Sequence, residues 1–155
     1  MLSGEYEAIL EELGRELGIA NLRPDQHNTC LLRLPGDINV YIEMEKGNDY
    51  LIIGSDFGEI PPGRYREDLF AAALKSNALP YPKVGIFAFS EKTSSLAMYD
   101  RLWCKGLNGV NVADFLAPFA EKVKIWKEAI ATNEVPAVSQ ITTSDRQAGI
   151  FGLRP

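Results

Sequence analysis

Histidine is almost missing from this chain: His27 stands alone among 155 residues, and Cys30 and Cys104 are the two cysteines. A site needing two imidazole ligands is therefore excluded, and so are a CxxC metal or redox motif and a disulfide framework. Cys30 with His27, three residues apart at the head of a strand-like run, is the one nucleophile and base pair that can be drawn, and only chance geometry would bring the two together. Both thiols read instead as reduced, small apolar side chains. Gly54, Gly58 and Gly63 fit neither GxGxxG nor GxxxxGK[ST], so no phosphate cradle can be built, and no cofactor or metal is expected. Basic residues are also outnumbered, 16 against 21 acidic, and the formal charge of -5 disfavours nucleic acid and anionic membranes as partners. No stretch approaches the roughly 18 apolar residues of a membrane span. Met1 to Gly18 carries glutamates without a basic run ahead of an apolar one, so it resembles no leader, and a cytoplasmic protein is expected.

What is present is the material of a packed globule: 46% hydrophobic and 24% charged residues, enough for one domain with a real core. Tyr6, Ile9, Leu10, Leu13 and Leu17 recur at helical spacing behind Ser3, a favourable N-cap, and predict an amphipathic helix over 3–17 ending at Gly18. The glutamates between them read as its solvated face, since hard-cation sites need oxygen ligands converging from a tight loop. From 29 to 55 the period becomes two. Thr29–Leu34, the run from Ile38 to Glu45 and Tyr50–Ser55 are predicted strands, separated by Pro35-Gly36-Asp37 and Lys46-Gly47-Asn48-Asp49 turns. Pro61-Pro62-Gly63 breaks the ladder and leads into a helix over 64–77. Val84–Phe89 and Ser95–Trp103 form a hairpin, and a third helix spans Val112 to Ala131, with Pro118 in its first turns. Trp126 lies on that helix's apolar stripe and reads as core, while Trp103 is open between core and interface. After Thr132 periodicity is lost, so the chain divides into a domain over 1–132 and a flexible tail over 133–155.

The predicted class is therefore α+β, in the order α-β-β-β-α-β-β-α, with a mostly antiparallel twisted sheet. This order, together with "YEAILEELGRELGI", "DQHNTCLLRL", "INVYIEME", "YLIIGSDFGEIPPG", "YREDLFAAALKSNAL", "VGIFAFS...SSLAMYDRL" and "FLAPFAEKVKIWKEAI", resembles the class I chaperones of bacterial type III secretion, the family of the Tir chaperone. The resemblance covers roughly residues 3–131. Leu74 to Asn77 at the end of the second helix and Gly85 before the next strand match what that family leads one to expect.

The resemblance implies an acidic homodimer without ATPase activity. Such a protein binds the N-terminal segment of secreted effector proteins and keeps it extended and export-competent for the secretion ATPase or sorting platform. It implies effector contacts at apolar positions of the first helix, Leu10 and Leu13, and on one face of the first three strands: Cys30, Leu32, Leu34, Val40, Ile42 and Ile52. It implies a dimer interface on the second helix and the following strands, at Leu69, Ala73, Val84, Ile86, Phe87 and Met98; alternation leaves open which face of the fourth strand meets the partner. Two alternatives stand beside this reading: a protein-binding module of the same fold outside secretion, and a thiol enzyme using Cys30.

Overall fold

Residues 2–138 are described by the computed structural model of the chain, the side chains of Leu2 and Ser3 excepted. The first helix, α1 (Leu2–Leu17), starts one residue before Ser3, which therefore lies within the first turn instead of capping it. Tyr6, Ile9, Leu10 and Leu13 are buried along its apolar stripe. Three strands follow, β1 (Thr29–Leu34), β2 (Ile38–Met44) and β3 (Tyr50–Glu59), then α2 (Arg64–Asn77), β4 (Ile86–Ser90), β5 (Ser95–Trp103) and α3 (Gly109–Ala131). All pairings are antiparallel in the spatial order β1-β2-β3-β5-β4, so β1 and β4 are the edges. The α+β class and its element order match the sequence reading.

Three boundaries differ from the pattern, each for a local reason. β3 continues past Ser55 to Glu59 because a register shift between Asp56 and Glu59 absorbs one extra residue: Gly58 takes φ 83° and its N–H donates to Asp56 Oδ1. β4 begins at Ile86, after Gly85 at φ 77°, where a Cβ would collide with the Met98 side chain. α3 starts at Gly109 because Asn108 caps it, its side chain accepting the Asn111 N–H at 2.9 Å. Pro118 consequently sits in the interior of a 23-residue helix, not in its first turns.

One face of the sheet makes the core. Cys30, Leu32, Val40, Ile42, Leu51, Ile53 and Met98 point inward and join α1 and α3 in a single apolar cluster. The helices cross closely at Gly109, where a Cβ would strike the Leu13 backbone, and Glu12 Oε2 accepts the Gly109 N–H at 2.8 Å. The Tyr6 hydroxyl fastens α1 to the sheet by donating to the Ile42 carbonyl at 2.7 Å, and its burial raises its pKa. α2 packs beside β4 on this same side, with Leu69, Ala72 and Ala73 in the cluster and Phe70 against Phe89 at 4.9 Å.

Candidate functional site

The opposite face of the sheet carries the features that packing among the described residues does not use. Alternation turns every second residue outward, and the ladder aligns them in rows across all five strands. One row runs Leu31, Tyr41, Gly54, Tyr99, Ile86, and a second runs Thr29, Glu43, Ile52, Arg101. Tyr50 and Trp103, directly opposite each other, extend the surface at one end. Their rings meet edge to face at 5.1 Å, and the Arg101 guanidinium stacks 3.9 Å over Tyr50 while pairing with Glu45 at 2.7 Å. Leu31 is 38% exposed, Tyr41 42% and Trp103 55%, whereas their inward neighbours Leu32 and Ile42 are fully buried. Such a run of apolar and aromatic side chains on one open face is the usual mark of an interaction surface.

The two sheet edges differ. At β4, the Asn77 side chain bonds both the N–H and the carbonyl of Phe87. At β1, among the described residues, only Thr29 is tied, its carbonyl accepting from Asp25 N–H at 2.9 Å and its N–H donating to Asp25 Oδ1. Those two backbone N–H bonds, this one and that of His27, hold the Asp25 carboxyl below its usual range. Because Thr29 faces away from β2, alternation sends the N–H and carbonyl of Leu31 and Arg33 the same way. Among the described residues no strand pairs with that edge.

A hollow of about 630 Å3 lies between α1 and the end of β5, lined by Ile9, Met44, Trp103 and Leu107 together with the acidic Glu5, Glu12 and Asp49. At the opposite edge of the sheet, Leu74 is 67% and Tyr81 78% exposed, and Phe70, one turn from Leu74 on α2, is half-buried against Phe89.

The residues singled out from the sequence fall as follows. Leu10, Leu13, Cys30, Leu32, Val40 and Ile42 are sealed in the core of the chain, which leaves their side chains no surface to offer; Leu34 is half-buried and Ile52 lies half-buried on the outward face. Leu69, Ala73, Phe87 and Met98 are buried within the protomer as well, while Val84 and Ile86 are partly accessible. The outward set of Leu31, Tyr41, Tyr99 and Trp103 was not among the sequence candidates for cargo. Its signal was adjacent apolar residues within one strand, Leu31-Leu32, Tyr41-Ile42 and Leu51-Ile52-Ile53, which put apolar side chains on both faces.

Cys30 faces the core, where burial pushes its thiol up to about 11, and the exposed His27 ring instead meets Gln26 at 3.3 Å. A protonated, buried thiol without a base is no nucleophile near neutral pH. Among the described residues no group of three or more His, Cys, Asp or Glu side chains is placed to hold a metal ion. No described helix is long and apolar enough to cross a membrane.

Comparison with known proteins gives this geometry a context. Among solved structures, the HopA1-SchA chaperone-effector complex contains a chain that superposes with a TM-score of 0.65 at 20% identity, covering 81% of this chain and 94% of that one. The ExsC-ExsE complex contains another at 0.63 and 16%, covering 89% and 98%. The ExoT-SpcS complex from Pseudomonas aeruginosa contains a third at 0.59 and 13%, covering 77% and 95%. A search of curated proteins finds no match. The sequence pattern of the Tir chaperone protein (CesT) family matches residues 8–127, most of the chain and every element from within α1 to within α3. The chain belongs to the Tir chaperone protein (CesT) family.

Proposed function

We propose that this protein is a type III secretion chaperone that holds the N-terminal segment of a secreted effector in extended form on the outward sheet face and the β1 edge. The observation that carries the reading is the coincidence of an apolar outward face with an open strand edge in a chain of this family. The mechanism is burial and pairing. Each apolar side chain laid over Leu31, Tyr41 or Ile52 gains about 25 cal/mol for every Å2 removed from water, which offsets the cost of ordering an unfolded segment. Backbone groups of Leu31 and Arg33 supply register by adding a strand.

On this reading the protein works as a homodimer. The exposed Leu74 and Tyr81, the Phe70–Phe89 ring pair and the partly accessible Val84 supply apolar surface at α2, the turn after it and β4, remote from the β1 edge, and Ile86 adds to it from the outward face of β4. Leu69, Ala73, Phe87 and Met98 support that patch from beneath, as Leu10, Leu13, Cys30, Leu32, Val40 and Ile42 support the cargo face. The protein acts in the bacterial cytoplasm, catalyses no reaction, consumes no ATP and delivers its cargo to the secretion ATPase or sorting platform. Co-expression with N-terminal segments of candidate effectors, followed by light scattering and limited proteolysis, tests this. Two chaperones per effector with a protease-resistant segment is the expected result; a monomer that retains no segment refutes it.

A further inference from the structure

At the centre of the outward face a glycine stands between two tyrosines. Gly54 lies on β3, the middle strand of five, and pairs with Tyr41 of β2 and Tyr99 of β5. Its backbone does not call for glycine. Its φ is outside the left-handed region, and an added Cβ would meet the Met98 carbonyl oxygen at 3.6 Å and the Tyr99 Cβ at 3.8 Å, ordinary contacts, with no other atom beyond its chain neighbours within 4 Å. Glycine weakens a strand interior and marks a place where a ligand or another backbone comes close. The two tyrosines stand about 10 Å apart across it, two strand spacings, so contacts of about 3.5–4 Å on each flank leave room for one inserted side chain.

The uncompensated charge beside this notch is negative. Glu43, the next outward residue after Tyr41, is a diagonal neighbour of Gly54 at about 7–8 Å, within reach of a long side chain. It is exposed, accepts a hydrogen bond from Thr29 Oγ1 at 3.2 Å, and among the described residues pairs with no lysine or arginine. Arg101, the diagonal neighbour on the other flank, is already held, 3.9 Å over the Tyr50 ring and 2.7 Å from Glu45. That guanidinium between a tyrosine and a carboxylate is a pattern the notch repeats, with Tyr41, Tyr99 and Glu43 but without the cation. No described part of the chain supplies one: the residues after α3 run beside α2, where Tyr65 donates its hydroxyl to the Glu134 carbonyl at 2.9 Å, and the rest of the expected tail, 139–155, lies outside the described residues.

We propose that the Gly54 notch takes an arginine side chain of the bound effector segment, its guanidinium stacked between Tyr41 and Tyr99 and paired with Glu43. The proposal rests on the reading of the outward face as the cargo surface and deepens it to a choice of cargo, an arginine flanked by apolar residues. Arginine suits the place because its stem covers apolar area while its planar head stacks on rings and keeps its charge. Leu31 and Ile52, beside the notch, receive the apolar flanks.

Random twelve-residue peptides displayed on phage and selected on the full-length protein test this. The expected peptides share an arginine between apolar residues. Gly54→Val fills the notch and should raise the Kd of such a peptide at least about tenfold, with a denaturation midpoint unchanged or higher. Norleucine in place of the peptide's arginine should cost as much, and Glu43→Gln about two- to fivefold with a flatter dependence on salt. Equal affinity for Gly54→Val and the native protein overturns the proposal, as do selected peptides without arginine, or a lowered midpoint in Gly54→Val, which makes the glycine structural. Leu31→Asp keeps the two readings apart. Binding lost there but intact in Gly54→Val removes the notch and retains the cargo face, whereas a protein that selects no peptide and retains no effector segment in co-expression removes both.

Discussion

Asn77 clasps Phe87 with two hydrogen bonds: its Nδ2 donates to the Phe87 carbonyl at 3.0 Å, and its Oδ1 accepts the Phe87 N–H at 2.8 Å. A side-chain amide at the end of α2 thereby takes the place of a neighbouring strand at Phe87, the second residue of β4. Among the described residues Phe89 is then the one β4 residue between Phe87 and the strand end whose N–H and carbonyl turn outward, against Leu31 and Arg33 on β1, so on the proposed reading an added strand finds its longer ladder at β1.

Replacing Asn77 with Ala removes both partners at once. Leaving the Phe87 N–H and carbonyl unpaired should cost about 1–3 kcal/mol, read as a lowered midpoint in chemical denaturation. Asn77→Asp keeps the acceptor and loses the donor, so it should fall between the two.

The outward and inward faces should respond oppositely to charge. Leu31→Asp adds a carboxylate to an exposed position, should change stability by no more than about 1 kcal/mol, and should abolish cargo retention. Leu32→Asp puts the same group among fully buried apolar residues and should cost on the order of 4 kcal/mol, enough to lose the fold in circular dichroism. Folded, cargo-competent Leu32→Asp would contradict the assignment of faces.

A half-buried group and a buried one, Lys122 and Cys30, make opposite contributions to stability in alkali. Desolvation lowers Lys122 to about 8 from an ordinary 10.5 where its Nζ bonds Ser76 Oγ and the Val84 carbonyl, so the unfolded chain holds that proton more tightly and stability rises from pH 8 towards 10.5. Cys30 is raised from 9.0 to about 11 by burial, so the folded chain keeps its proton longer and its contribution is full below pH 9 and lost as pH climbs through 11. Against the native protein, Lys122→Met should lower the slope of stability with pH across this window, and Cys30→Ala should raise it; denaturant titrations at pH 8, 9 and 10 read both.

Thiol reactivity separates a chaperone from a thiol enzyme. Cys30 should resist iodoacetamide at pH 8 in the folded protein and react once it is unfolded, because its thiolate is scarce and its sulfur inaccessible. Rapid, selective alkylation of native Cys30 would revive the enzyme reading.

The elements were legible because their periods are clean: the stripe of Tyr6, Ile9, Leu10 and Leu13 and the alternation from Ile38 to Met44 each identify one element and its buried side. What the pattern hid were devices set by single contacts. The bulge at Gly58 depends on Asp56, the start of α3 on Asn108 and its close approach at Gly109, and the closure of β4 on Asn77. The proposed binding face was hidden for another reason. Alternation marks the more apolar set as core, which it is, and gives no prominence to a second face that is also apolar; the doubled residues Leu31-Leu32 and Ile52-Ile53 signal it, but only the sheet with α1, α2 and α3 on one side shows that no described helix covers this face.

Site-specific photocrosslinking measures the central claim most directly. With a photoreactive residue in place of Tyr41, the account expects crosslinks to the effector segment in the co-expressed complex, and in place of Leu74 crosslinks to a second copy of the chain. Effector crosslinks from position 74 with none from position 41 would contradict it.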